Sequence, residues 1–461
     1  MVVQKFGGTS VADPDAVRRL IEIARAARTR DGSGPVLVVS AMSRVTDALL
    51  TIAAEAGAAK TDSALSHVEQ LRERHLAMAR ALAGQSDVAT LSTHINEQLD
   101  QLAAVVKALA VLREVSFRTL DVVASMGELL SSRIIACALV NAGLPGEWVD
   151  ARRAIVTDDE HTKACPLMRE TKAALRASVV PLVEAGKVPV VGGFVGATVD
   201  GHTTTLGRGG SDYSGAIVGA GIDAAEIQIW TDVDGMLTAD PRVIPQSRLV
   251  PRLSFAEAAE LSYFGAKVLH PSTIHPAVER DIPVRILNSW KPAASGTLIT
   301  AESSPDGNHL TALAAKRDLT VVDITSSRML MAYGFLRRVF EVFERFRTAV
   351  DVVTTSEVSV SVTVDDRRHL EAIVEALSEF AEVSIEQEMA LLCAVGDRLR
   401  NEPEIAARVI RVLEEVPLRM ISQAASRRNI TVILRQVDLP HAMQRLHEEF
   451  FAEPAPSGVE G

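Results

Sequence analysis

Val2-Val3-Gln4-Lys5-Phe6-Gly7-Gly8-Thr9-Ser10 stands at the start of the chain, and the rest of the architecture can be built outward from it. The β-forming residues before Lys5 predict an extended strand that delivers a lysine and two glycines into one loop. Glycine tolerates positive φ, so backbone N–H groups can converge there on an anion, while a lysine ammonium neutralises the remaining charge. Asp13-Pro14 then predicts the N-cap and first turn of a helix. The pattern indicates a strand, a phosphate-binding loop and a helix.

This loop matches neither of the common nucleotide-binding signatures. Its spacing lacks the G-x-x-x-x-G-K-[ST] of the Walker A loop and the G-x-G-x-x-G of dinucleotide-binding folds. A Gly-Gly pair after a strand is also frequent in ordinary turns, so the phosphate interpretation depends on agreement with other segments. A different nucleotide-binding design is required.

The composition is that of an ordinary globular protein and argues against several functional classes. The chain has 461 residues, 47% of them hydrophobic, which is enough for about three domains. Its net charge of -11 argues against non-specific nucleic-acid binding. We find no apolar run of membrane-spanning length and no signal-peptide core at the start. The cysteines lack CxxC spacing, so we expect a cytoplasmic protein without a disulfide framework or a zinc site.

Helix-periodic segments alternate with short β-rich runs through residues 1–300. The β-rich runs lie at residues 36–39, 188–191, 227–230 and 284–287. This alternation predicts an α/β fold with a mostly parallel central sheet and helices on both faces. Residues 62–144 contain few β-formers and predict a helical insertion, which carries Glu128.

A polar stretch at residues 301–307 predicts a domain boundary. After it, residues 319–395 predict a βαββαβ unit that ends with a strand at 391–395. A similar order over residues 404–449 predicts a second copy, which could share a strand with the first. We therefore expect domains at 1–300, 301–390 and 391–452, followed by a disordered tail at 453–461.

The second glycine-rich loop, Gly207-Arg208-Gly209-Gly210-Ser211-Asp212, also precedes a predicted helix. Anions are favoured at such a position by free N–H groups and by the positive end of the helix dipole. Arg208 adds a planar fork that matches a carboxylate. Asp212 is suited to cap the helix, and its charge is also suited to hold a nearby lysine for phosphoryl transfer.

Further polar residues follow predicted strands and helices. Thr231 and Asp232 lie just past a predicted buried strand, where open α/β sheets bind ligands, although such pairs are also common in plain turns. Lys267 is suited either to clamp phosphates or to be solvated. Ser40 and Thr46 flank a strand-to-helix junction and can cap the helix or contact a polar substrate. Glu128 either faces solvent or accepts a substrate ammonium group. We expect the acidic cluster at residues 158–161 to form a solvated loop.

Together these segments resemble the aspartate kinases of the amino-acid kinase family, over nearly the whole chain. The resemblance is carried by Lys5-Phe6-Gly7-Gly8-Thr9-Ser10-Val11, Gly207-Arg208-Gly209-Gly210-Ser211-Asp212, Trp230-Thr231-Asp232-Val233-Asp234-Gly235 and Phe264-Gly265-Ala266-Lys267-Val268-Leu269-His270-Pro271. It implies transfer of the ATP γ-phosphoryl group to the β-carboxylate of L-aspartate, which gives 4-phospho-L-aspartate for lysine, threonine and methionine synthesis. It also implies Mg²⁺ carried mainly by ATP, and a C-terminal pair of ACT domains.

The resemblance further implies roles for individual residues. The implied catalytic residues are Lys5, Gly8, Gly210 and Asp212; the substrate-binding residues are Ser40, Thr46, Glu128, Arg208 and Ser211; the nucleotide-binding residues are Gly7, Gly8, Thr231, Asp232, Leu237, Arg242 and Lys267. Arg208 would pair with the α-carboxylate of aspartate and Glu128 with its α-ammonium. Many relatives have a tyrosine where this chain has Leu237, so adenine packing or nucleotide selectivity can differ.

The C-terminal region resembles the lysine-sensitive, single-function aspartate kinases. The implied effector residues are Met329, Gly334, Phe335, Leu336, Asp351, Thr355, Ser356, Glu357 and Val358. Amides at Gly334 would suit the effector carboxylate, and Asp351 with Glu357 would suit an ε-ammonium. The alternative is an ACT fold without a ligand. Because ACT domains usually pair sheet to sheet between subunits, we expect a homodimer or homotetramer.

The residues at the implied site fit the implied reaction. A carboxylate with a reference pKa of about 3.9 is already an ionised nucleophile at neutral pH, so no general base is needed. Positioning and charge neutralisation must then provide catalysis. Two alternatives remain, another amino-acid kinase acting on glutamate, carbamate or a nucleotide, and a catalytically inactive amino-acid sensor. Intact Lys5, Arg208, Asp212 and Lys267 favour an active enzyme.

Overall fold

The computed structural model describes residues 1–31, 34–207, 209–265, 269–302, 310–326, 333–397, 399–423 and 426–452. Contacts between residues divide the chain into two compact units. The first unit comprises Met1–Met236 and Val268–Glu302, and the second comprises Leu237–Lys267 and Ser303–Gly461. The sequence analysis places residues 237–267 in the catalytic domain, whereas their contacts group them with the C-terminal residues.

Strands and helices are numbered here in chain order. The strands are β1 Val2–Phe6, β2 Val36–Val39, β3 Gly146–Val149, β4 Val156–Thr157, β5 Val188–Gly192, β6 Val195–Thr198, β7 Thr203–Thr205, β8 Glu226–Thr231, β9 Arg252–Ser254, β10 Val284–Asn288, β11 Thr297–Thr300, β12 Ala312–Thr325, β13 Val353–Thr355, β14 Ser359–Val364, β15 Glu382–Val395, β16 Leu418–Ser422 and β17 Asn429–Arg435. The helices are α1 Pro14–Asp31, α2 Val45–Gly57, α3 Thr61–Leu82, α4 Gln85–Leu112, α5 Phe117–Asn141, α6 Ala151–Ala154, α7 Met168–Ser178, α8 Val180–Glu184, α9 Gly210–Gly221, α10 Phe255–Tyr263, α11 His275–Val278, α12 Phe335–Arg345, α13 Leu370–Ser378, α14 Pro403–Val412 and α15 Leu439–Phe451.

The first unit is built on the predicted, mostly parallel sheet. Its strands pair in the order β3-β5-β2-β1-β8-β10-β11; β10 and β11 are antiparallel, and the other pairs in this order are parallel. The run Val36–Val39 is buried at every position, as expected for a parallel strand covered on both faces. Because β1 lies between β2 and β8, the loops after these three strands meet at one edge of the sheet. The prediction of an α/β fold is confirmed.

The predicted helical insertion is formed by α3, α4 and α5. On α4 the buried residues Leu91, Ile95, Leu99 and Leu102 recur at helical spacing and join the core of this unit. By length and composition α5 could cross a membrane, but 83% of its most apolar window is buried. Such burial is typical of a central helix in a globular core. The helix brings Glu128 into the first unit's interior.

The second unit contains a six-stranded sheet in the order β13-β14-β12-β15-β17-β16. Residues 320–325 of β12 pair with β14, and residues 321–325 also pair with residues 382–386 of β15, whereas residues 312–316 pair with residues 391–395. The prediction that residues 391–395 close the first repeat is therefore wrong. Both long strands run on through an irregularity near Asp318 and Glu388, which have positive φ. A bulge of this kind bends a strand without ending it, so the two repeats share one sheet.

Candidate active site

A buried ion pair links the first strand to the second glycine-rich loop. Lys5 lies in β1 and is 6% exposed, and its Nζ is 2.6 Å from Oδ1 of Asp212. Asp212 lies in the first turn of α9. Gly215 allows α9 to approach β1, because a Cβ there would lie 3.1 Å from Cβ of Lys5. The structure therefore brings together the lysine and the carboxylate that the sequence analysis pairs.

The two glycine-rich loops lie close to this ion pair. The amide of Gly7 donates to the carbonyl of Trp230 at 3.0 Å, and the carbonyl of Gly8 accepts from Ser43 N at 3.1 Å. At Gly210 a Cβ would lie 2.6 Å from Cδ2 of Phe194, so a larger residue would not fit. Tight contacts thus fix the backbone of both loops, as required of a site that binds anions through amides.

Two neighbouring cavities of the first unit share the predicted substrate residues. The first cavity, of about 620 Å³, is lined by Lys5 and Asp212 and by Gly207, Gly209 and Gly210 of the second glycine-rich loop. The second, of about 400 Å³, is lined by Gly7, Gly8, Thr231 and Asp232. The residues that line both cavities are Ser40, Thr46, Glu128 and Ser211. These are four of the five residues predicted to bind the substrate, and they lie where the ion-pair cavity meets the cavity of the first glycine loop.

Glu128 lies in α5 and is buried, with 3% exposure, rather than facing solvent. Burial raises the pKa of its carboxyl to about 8, although the backbone of Ala41 and the charge of Lys5 oppose this shift. Its Oε2 has no hydrogen-bond partner among the described residues. A buried carboxyl without a partner is costly when charged, so this position favours a bound cation.

The predicted nucleotide-binding residues are divided between the two units. Thr231 ends β8 and, with Asp232, lines the second cavity. Arg242 belongs to the second unit, where it is exposed and its guanidinium pairs with Asp240 at 2.6 Å. Leu237 also belongs to the second unit and bridges to Leu249. Arg208 and Lys267 lie outside the described residues, so their roles stay predictions.

The sequence analysis missed several residues that line the first cavity. They include Leu50, Phe117, Leu120, Asp121, Ala124, Thr162, Phe194 and Thr205. A signal was present, because Asp121, Ala124 and Glu128 follow the spacing of one helix face. The sequence analysis predicts a solvated loop at residues 158–161, and this prediction is wrong for His161. Nδ1 of His161 lies 2.7 Å from Oδ2 of Asp121, which is fully buried.

Comparison with known proteins assigns the family. The amino acid kinase family model matches residues 1–288, and an ACT domain model matches residues 392–450. The lysine-sensitive aspartokinase 3 of Escherichia coli is 33% identical over 98% of this chain and 99% of its own length. This chain belongs to the aspartokinases of the amino acid kinase family. Its activity is accordingly that of an aspartate kinase, an ATP-dependent phosphotransferase.

Other aspartokinases are similar over comparable lengths. The chloroplastic aspartokinase 3 of Arabidopsis thaliana is 37% identical over 97% of this chain and 81% of its own length. The structure of E. coli aspartokinase III in complex with lysine and aspartate has a TM-score of 0.84 and 34% identity, covering 98% of this chain and 99% of that one. The structure of the same enzyme in complex with aspartate and ADP has a TM-score of 0.81 and 33% identity. The match covers 98% of this chain and all of that one.

The predicted effector residues of this aspartokinase lie in the second unit. Gly334 is the N-cap of α12 with φ of 82°, a left-handed conformation that glycine adopts without strain. Phe335 is buried, Leu336 and Val358 are partly exposed, and Thr355 ends β13. The carboxylate of Asp351 is 7% exposed and pairs with Nζ of Lys316 at 2.9 Å. Met329 lies outside the described residues.

The buried ion pair predicts a strong effect of neutralising Asp212. Asp212→Asn keeps the size of the side chain but removes the charge that holds Lys5. We expect kcat to fall about a hundredfold, since a preorganised charge at the reacting group is a large catalytic contribution. Steady-state kinetics would measure the fall in kcat, and a thermal unfolding curve would show whether the variant is folded.

Asp223→Asn is the matched control for this prediction. Asp223 lies just past the end of α9 and pairs with Lys172 at 3.1 Å and Arg176 at 2.6 Å on the surface. Exposed pairs contribute little, so kcat should stay within about twofold of the wild type. Equal losses in both variants would contradict a special role for the buried pair.

Proposed function

We propose that this aspartokinase transfers the phosphoryl group at the junction of its two cavities. The observation that carries this proposal is that Ser40, Thr46, Glu128 and Ser211 line both cavities, beside the pair formed by Lys5 and Asp212. The β-carboxylate of aspartate would lie at this junction, and the triphosphate of MgATP would enter from the second cavity. Magnesium arrives with ATP as part of that substrate.

Lys5 neutralises the charge that develops on the transferring phosphoryl group. The carboxylate of Asp212 is too close to Lys5 to leave that ammonium free, so it fixes the position of the cation. Neither residue needs to move a proton, because the acceptor carboxylate is ionised at neutral pH. The amides of Gly8 and Gly209 would hold phosphate oxygens. Those of Gly7 and Gly210 already donate to the carbonyls of Trp230 and Gly207, each at 3.0 Å, so the structure does not support a phosphate contact through them.

The remaining groups orient the two substrates. Glu128 would accept the α-ammonium of aspartate, and Arg208 would pair with the α-carboxylate in a planar, bidentate geometry. Thr231 and Asp232 would bind the nucleotide. The nucleotide-binding roles of Leu237, Arg242 and Lys267 stay predictions. Each of these five assignments follows the family resemblance.

An ATP- and aspartate-dependent hydroxamate assay tests the reaction. Hydroxylamine traps an acyl phosphate, so a hydroxamate forms only if the phosphoryl group is transferred to a carboxylate. Replacing aspartate by glutamate, carbamate or a nucleotide separates this function from those of other amino-acid kinases. If no substrate yields product while ATP and aspartate still bind, the protein is an inactive sensor and the proposal fails.

The position of Glu128 predicts that aspartate affinity depends on pH. Without ligand the pKa of Glu128 is raised to about 8, whereas a bound ammonium would lower it by pairing with the carboxylate. Below that pH, binding must therefore release a proton. The dissociation constant for aspartate should fall up to about tenfold for each unit of rising pH, and it should level off above the pKa of Glu128 in the unliganded protein. Calorimetric titration in buffers of different ionisation enthalpy measures both the affinity and the proton release.

Two variants test whether the pH dependence of aspartate binding comes from Glu128 or from another carboxylate. Glu128→Gln should weaken aspartate binding and remove the pH slope. Glu147→Gln changes an exposed carboxylate that pairs with Lys187 at 2.8 Å, and it should keep the slope. An affinity of the wild type that does not vary between about pH 6 and pH 8 would refute the assignment of Glu128.

We further propose that lysine inhibits this enzyme through the second unit. A structure of the E. coli enzyme contains lysine together with aspartate, which supports lysine as the effector here. In this chain Lys316 places its own ammonium 2.9 Å from Oδ1 of Asp351 and 2.7 Å from Oδ2 of Asp365. An effector ammonium at Asp351 would therefore compete with an internal cation for the same carboxylate.

This competition predicts the effect of Lys316→Gln. Removing the internal ammonium should lower the lysine concentration needed for half-maximal inhibition, about tenfold for one lost competing charge pair near the surface. Inhibition curves at fixed aspartate and ATP would measure the change. Arg337→Gln removes a charge from an exposed pair with Glu341 and should leave the curve unchanged. A lower sensitivity in Lys316→Gln would contradict the proposed competition.

The location, the assembly and the domain division of this protein are also proposals. We expect a cytoplasmic homodimer or homotetramer assembled through the ACT region. We also keep the division of the C-terminal region into ACT domains at residues 301–390 and 391–452. Light scattering of the purified protein would establish the number of subunits.

A further inference from the structure

Asp121 is a buried carboxylate that the proposed reaction does not use. It lies in α5 with no exposed surface. Its Oδ1 accepts from Oγ1 of Thr205 at 2.5 Å and from the amide of Thr162 at 3.0 Å. Its Oδ2 lies 2.7 Å from Nδ1 of His161. Two separate segments of the first unit, the loop that carries His161 and Thr162 and the end of β7, therefore converge on one carboxylate.

The partners of Asp121 hold one wall of the first cavity. Thr205 is the last residue of β7 and is separated from the second glycine-rich loop by Leu206 alone. Its carbonyl accepts from the amide of Ala164 at 2.9 Å, which ties the loop at residues 158–167 to the same strand. At Gly207 a Cβ would lie 3.1 Å from the carbonyl of Thr162, so that loop packs directly against the glycine-rich loop.

We infer that Asp121 is a positioning residue for the aspartate site. It lies two helical turns before Glu128 on the same face of α5, and Thr162 and Thr205 line the same cavity as Glu128. Asp121 belongs to the lining of this cavity, but it has no exposed surface and both of its oxygens are occupied by groups of the chain, so we assign it to hold the wall rather than to bind the substrate. It sets the distance between Glu128 and the second glycine-rich loop. This inference rests on the proposed aspartate site.

A carboxylate is required by the number of donors that it serves. An ionised carboxylate only accepts hydrogen bonds and offers about four lone-pair sites, which matches donors that approach from the hydroxyl, the amide and the imidazole. An asparagine would turn its NH₂ group toward one of these partners, so the hydroxyl would have to rotate or the imidazole would have to change its tautomer. A small displacement of the wall then moves the groups that orient the substrate, and orientation strongly affects rate.

Thr205→Val tests the inference with a closely matched control, Thr204→Val. Both threonines are buried and adjacent in β7, but Thr204 shares its hydroxyl hydrogen bond with Thr157 at 2.7 Å, away from the cavity. We expect Thr205→Val to raise KM for aspartate about tenfold, with KM for ATP changed less than about threefold. Thr204→Val should lower thermal stability to a similar extent while leaving both constants near the wild type.

Asp121→Asn provides a second variant, and Glu128→Gln provides the reference. Asp121→Asn should raise KM for aspartate more than Thr205→Val does, since it disturbs three partners rather than one. If Thr205→Val and Thr204→Val give the same KM for aspartate, or if KM for ATP rises equally, the inference is wrong. If Glu128→Gln raises KM for aspartate in that case, the proposed site stands without it. If Glu128→Gln also has no effect, the aspartate site itself is misplaced.

Discussion

The close contact between Lys5 and Asp212 is the constraint on which the site depends. An ammonium with 6% exposure needs a partner charge, and the first turn of α9 supplies one at 2.6 Å. That contact requires α9 to lie against β1, which Gly215 allows. β1 is an inner strand of the sheet. The parallel order β2-β1-β8 then brings the loops of three strands to the same edge.

The two buried carboxylates of α5 differ in how far their hydrogen-bonding capacity is used. Asp121 is surrounded by donors of its own chain and therefore stabilises a fixed wall. Glu128 keeps one oxygen without a partner among the described residues, and burial raises its pKa from 4.5 to about 8. Ionising it in the unliganded protein costs stability as pH rises through this interval. A bound ammonium recovers that cost, so the position selects a cationic ligand.

The second unit uses the opposite arrangement at its proposed effector site. Asp351 is also largely buried, but Lys316 of the same unit already neutralises it. Charge pairing within the chain reduces the attraction for an external ammonium, so affinity at such a site is set by competition. The long strands β12 and β15 contribute to both halves of the sheet, which gives the two predicted repeats a common framework.

The resemblance to the aspartate kinases indicated the residues that the two cavities share, whereas the sequence by itself determined the parallel strands, the glycine-rich loops and the helical insertion. These features have local signals, since hydrophobic period, glycine spacing and capping residues act within a few positions. The tertiary structure alone decided the partners of Asp121, the pairing of Lys316 with Asp351 and the grouping of residues 237–267 with the second unit. Thr205 and Asp121 are 84 positions apart, and the sequence carries no mark of that contact. Such contacts arise only when packing brings distant segments together and leaves a buried charge that must be satisfied.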